Sequence, residues 1–161
     1  MRPVLPVLLL SAAVMASPAA AFMFSDGTTM QCTARGQVVP ETYAPAGDPF
    51  ESLGRVGLVA RSGDGYRITW NPKRLAALPP ETHDFIFFHE CAHAQIPTEI
   101  ELAANCAGLL AMRRAGRAGP AVEKKLRALF GGHPDWDYTV RCADEEDANA
   151  GRGGDPAAKG R

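Results

Sequence analysis

The chain has 161 residues, 46% hydrophobic and 22% charged, and its 17 basic residues nearly balance 18 acidic ones to give a net charge of −1. A charge so close to neutral leaves no electrostatic footprint for a nucleic acid or an anionic membrane surface. The length suits one domain with a modest core.

The first residues read as a secretory signal. Met1-Arg2 supplies the positive start, Val4 to Ala16 is apolar, and Ala19-Ala20-Ala21 has the small-x-small form of a cleavage site. Pro3, Pro6, Ser11 and Pro18 interrupt the stretch, whereas a membrane anchor needs about 20 consecutive apolar residues. Cleavage after residue 21 is therefore expected, giving an exported, periplasmic or secreted chain with no integral membrane segment and a net charge of −2, since only Arg2 among the charged residues is lost. A monomer is expected.

Residues 22–50 are rich in Gly, Pro and Thr and read as irregular, with one strand near residues 29–33. Two β-prone runs, 56–60 and 66–70, flank Arg61-Ser62-Gly63-Asp64-Gly65 and predict a hairpin. A short helical turn is expected over 75–78. A helix then runs from Pro80 or Glu81 to Gln95 and ends before Pro97, a second opens at Thr98-Glu99-Ile100-Glu101 and runs to about Ala115, and a third spans 120–130. The composition after Cys142 loses its large apolar residues, so 143–161 reads as a disordered tail behind a domain at 22–142.

The chemistry lies in His89-Glu90-Cys91-Ala92-His93. Histidines four apart on a helix sit one turn apart and about 40° round, close enough to bind one ion, and neutral imidazole is a good zinc ligand. Glu90, about 100° round from His89, reaches the edge of the same site without taking a ligand position, where a general base belongs. Zinc brings the pKa of a bound water toward about 7, and Glu90 could take its proton and return it to a leaving amine.

Glu99 and Glu101 follow, about 200° apart on the next helix, so one of them can face the ion. In antiparallel helices level residues have numbers with a constant sum, and His93 with Glu101 shares that sum with His89 and Asn105. Glu101 is thus the preferred third ligand and Asn105 an orienter of the His89 ring. Thr98-x-x-Glu101 also fits a capping box, in which Glu101 would only satisfy a backbone N–H.

Four cysteines in an exported chain suggest two disulfides. Cys91 and Cys106 lie at similar heights on the two helices, which favours a bridge between them and leaves Cys32 with Cys142. A thiolate ligand from Cys106 is the alternative.

His89-Glu90-Cys91-Ala92-His93 together with Glu101-Leu102-Ala103-Ala104-Asn105 resembles the gluzincin metallopeptidases, whose zinc is bound by two histidines of His-Glu-x-x-His and a glutamate of a following helix. The second motif looks most like the HtpX and CAAX-prenyl-protease kind and the small ImmA/IrrE type. The likeness covers residues 80–115, with a short spacing between the motifs and no membrane helices. It implies an α+β zincin-like domain, a small antiparallel sheet packed on a two-helix zinc core plus a third helix. It also implies one zinc ion and a peptide or protein substrate.

His133-Pro134 followed by Arg141 is similar to a segment of the HtpX-type enzymes, and His133 or Tyr138 could donate to an oxyanion. In such enzymes an edge strand beside the zinc helix aligns the substrate, and residues 66–70 are the candidate here. His83 is expected to face solvent, and Phe130 and Trp136 to be core. Two other readings fit the same residues: a non-catalytic metal-binding or interaction domain on the same scaffold, and a structural exported protein whose motif binds nothing.

Overall fold

The computed structural model describes residues 21–130 and 134–153. The expected signal peptide at 1–21 lies, apart from Ala21, outside the described residues, as do His133 and residues 154–161. The chain is α+β, with small sheets ahead of a helical half. No helix among the described residues is long and apolar enough to cross a membrane.

Two short hairpins open the fold: β1 (Phe22–Met23) pairs with β2 (Thr29–Met30), and β3 (Thr33–Ala34) with β4 (Gln37–Val38). Arg35 and Gly36, at φ 53° and 76°, make the two-residue turn of the second, a geometry that matches the strand twist. The strand expected over 29–33 is divided between these hairpins. β5 (Glu41–Tyr43) follows, then a single capped turn, α1 (Pro49–Ser52), where the Asp48 side chain accepts from the Phe50 N–H at 2.8 Å.

The expected hairpin forms β6 (Gly57–Ser62) and β7 (Gly65–Trp70), joined by a turn of only Gly63 and Asp64. β7 also pairs in parallel with β5, giving the order β5-β7-β6. β7, expected at the edge, is therefore central, and the open edge beside the helices is β6. Local alternation cannot foresee this, because the β5 pairing joins segments distant in sequence.

After α2 (Pro72–Ala76), capped by the Asn71 side chain, come α3 (Pro80–Gln95), α4 (Glu101–Arg114), α5 (Pro120–Phe130) and α6 (Pro134–Gly153). Pro80 at the first turn and the turn around Pro97 set the limits of α3. Residues 143–153, expected to be disordered, continue α6. Ala143 is its last buried contact, and beyond it Arg113 of α4 holds Asp144 at 2.9 Å and Asp147 at 3.5 Å.

One core unites the halves. Phe22, Ile68, Trp70 and Phe87 are fully buried, with the Phe22 ring 4.8 Å from Trp70 and 5.0 Å from Phe87. Each such ring stabilises by roughly 1.5–3 kcal/mol on burial, so α3 is fixed against the sheet by its phenylalanines. Trp136 is core as expected, meeting Phe85 edge-on at 5.5 Å, while Phe130 is only partly buried, its ring stacked on Trp136 at 5.1 Å. His83, expected in solvent, is half-buried against Phe22 and bonded to Asp84 at 3.1 Å.

The disulfides are Cys32–Cys91 and Cys106–Cys142, not the expected Cys91–Cys106 and Cys32–Cys142. Equal height on two helices is not equal azimuth. Cys91 is about 200° round α3 from His89, which faces α4, so its sulfur points away from α4 and meets Cys32. All four cysteines are paired, so Cys106 is no thiolate ligand.

Buried Glu41 positions Cys32 by accepting from its N–H at 3.0 Å and from Trp70 Nε1–H at 2.8 Å. Burial pushes the Glu41 carboxyl up, against the pull of those two bonds.

Gly108 sets the α3–α4 approach, since a Cβ there would lie 2.9 Å from the His89 nitrogen and 3.0 Å from its Cα. Backbone so close cannot yield locally. Gly108→Ala should therefore destabilise by about 1–3 kcal/mol, read as a fall in thermal midpoint, with the metal-free and metal-loaded forms both affected.

Candidate metal centre

α3 presents His89, Glu90 and His93, and the first residue of α4 is Glu101. Thr98 does not build a capping box: its hydroxyl accepts from the Ile100 N–H at 3.0 Å, and no side chain caps α4. Glu101, its side chain still largely exposed, is thereby left free to lean over the two histidines. Its Oε2 lies 3.2 Å from His89 Nε2 and 3.7 Å from His93 Nε2, and the two Nε2 atoms are 3.2 Å apart.

A tetrahedral ion with ligand bonds of about 2.0 Å spaces its donors about 3.3 Å apart, so this triangle has the size of a three-ligand face. The proton positions agree. The Thr98 carbonyl can only accept, so the 2.7 Å contact from His93 Nδ1 places the hydrogen on that nitrogen. His89 Nδ1 meets Asn105 Oδ1 at 2.8 Å in the same sense. Both Nε2 atoms then face Glu101, and burial, followed by the neighbouring His93, holds His89 below the usual histidine range. His89, His93 and Glu101 could hold a metal ion.

Glu90 is buried beside them, accepts no hydrogen bond from a described side chain or backbone group, and lines the cleft into which the cluster opens. Burial raises its carboxyl to about 7, with Glu101 adding to the effect while His93 and Arg55 oppose it. The cleft has a volume of about 690 Å³, with β6 as one wall and the α3–α4 turn as the other. No family model, curated protein or solved structure matches the chain.

The site residues read from sequence divide clearly. His89, His93 and Glu101 converge, Asn105 orients His89, and Glu90 borders them. Glu99 lines the cleft but is exposed on the connecting turn, outside the cluster. Tyr138 is exposed on α6 and does not reach the cleft, and the oxyanion role suggested for His133 lies outside the described residues.

The Thr98 carbonyl carries no side-chain signal in the sequence, and the β6 wall was not expected either. Gly57 held the clue to the wall, since a glycine inside a strand marks close approach. A Cβ there would lie 2.8 Å from Glu90 Cγ and 2.8 Å from the Trp70 ring.

Proposed function

We propose that the chain is an exported zinc hydrolase of the peptidase kind, a small relative in chemistry of the gluzincins with a zincin-like fold. The observation that carries this reading is the triangle of His89, His93 and Glu101 donors with an unpartnered, buried Glu90 beside it. Two imidazoles and a carboxylate form the donor set of hydrolytic zinc sites, which leave one position open. When bound, zinc makes a water more acidic and polarises a carbonyl.

Glu90 then acts on the proton. Beside the ligands and with no described hydrogen-bond donor engaging it, its carboxylate is placed to take a proton and return it to the leaving amine. Asn105 and Thr98 keep both rings in the tautomer that leaves Nε2 free. The open edge of β6 aligns the substrate. Asn71 N–H donates to the Val56 carbonyl at 2.8 Å, and pairs alternate from there, so Leu58 and Ala60 bond to β7 while Gly57, Val59 and Arg61 turn their backbone groups outward. An extended peptide can pair with that edge beside Glu90.

Two disulfides suit an oxidising compartment, and with the apolar segment ahead of residue 22 they support export. The zinc-loaded chain, beginning at residue 22, should cleave members of a peptide library, lose that activity to a chelator and regain it with zinc. A loaded chain that cuts no peptide would count against the peptidase reading.

A further inference from the structure

Side chains alternate along β6, so Arg61 shares the face of Gly57, the face that abuts Glu90. Its side chain lines the cleft, and its backbone belongs to the open edge along which a peptide would run. Opposite it on β7 stands Tyr66, and the guanidinium lies 5.7 Å from the centre of that ring. The aromatic face steadies the cation while leaving its N–H groups uncommitted. Arg61 makes no ion pair or hydrogen bond to a described side chain, as is also true of Arg55, so both charges on this wall are available to a ligand.

The charge around the cleft points the same way. Arg55 stands at the start of the same wall, close enough to act on Glu90. Together with a divalent ion, the two arginines outweigh Glu90, Glu99 and Glu101. Arg61 is four steps along the strand from Gly57, roughly 13 Å at 3.3 Å per residue.

We propose that this cleft selects peptides that carry a carboxylate about four residues from the bond to be cut, held by the Tyr66-backed Arg61 guanidinium. The proposal rests on the peptidase reading above. Arg61 is a specificity-determining residue in it, acting on the substrate at a distance from the reacting atoms. A peptide antiparallel to β6 places the carboxylate on the amino side of the cut, where only an acidic side chain can supply it. A parallel peptide places it on the carboxyl side, where a free C-terminus serves as well.

The test uses zinc-loaded protein and fluorogenic peptides sharing one cut bond, with Glu, Gln or Lys at each position three to five residues to either side. A parallel set ends four residues beyond the cut with a free or an amidated terminus. The proposal expects kcat/KM roughly tenfold higher for a carboxylate at one of these places than for its neutral counterpart. Arg61→Gln should abolish that preference, and Arg61→Glu should turn it toward Lys. The Glu peptides and the free-terminus peptides tell which source of carboxylate is used.

Cleavage without a carboxylate preference, or a preference that survives Arg61→Gln, overturns this proposal and leaves the peptidase reading standing. Absence of cleavage of every peptide removes the peptidase reading and this proposal with it.

Discussion

Glu90→Gln should keep its metal and lose hydrolytic rate by roughly 10²–10⁴-fold, the range that a positioned general base contributes. The substitution is nearly isosteric, and it removes a carboxyl that burial has already driven to about 7 and that no described donor satisfies. Folding should therefore be unharmed, because a buried, unpaired carboxylate is costly to keep charged. Since Glu90 lies outside the triangle of donors, metal content should match the natural chain. Steady-state kinetics on a cleaved peptide, read beside elemental analysis, separates the roles. Unchanged turnover in Glu90→Gln would mean that the site is a metal-binding scaffold.

Removing the Cys32–Cys91 bridge with Cys32→Ala and Cys91→Ala should lower stability by about 4 kcal/mol, from the chain entropy of a loop closed across 59 residues. Cys91 lies between Glu90 and His93, so the bridge also holds the working turn of α3 against the amino-terminal hairpins. Metal affinity should fall with it. Urea unfolding of the metal-free forms gives the first quantity, and zinc titration of the folded forms gives the second. A urea midpoint equal to that of the natural chain would contradict this view of the bridge.

Much of the metal centre was legible because helical spacing is a strong local rule. His89 and His93 share a face by the four-residue step, and Glu101 with Asn105 repeats it on the next helix. The cysteines need azimuth as well as height, since Cys91 points about 200° away from the His89 face.

Residues 22–43 were illegible for a different reason: their strands have two or three residues, too few to show a period, and they are held by Glu41 and the Phe22 ring rather than by pattern. The edge role of β6 depends on the parallel partner β5, which no local window contains. The extension of α6 rests on Arg113, in α4, reaching Asp144 and Asp147.

The most direct measurement is zinc binding by the metal-free chain in equilibrium dialysis, followed by elemental analysis. The His89, His93 and Glu101 centre predicts one ion per chain, its loss in His93→Ala, and far greater weakening in Glu101→Gln than in Glu99→Gln. Metal content unchanged by His93→Ala, or equal weakening by the two glutamine substitutions, would contradict it.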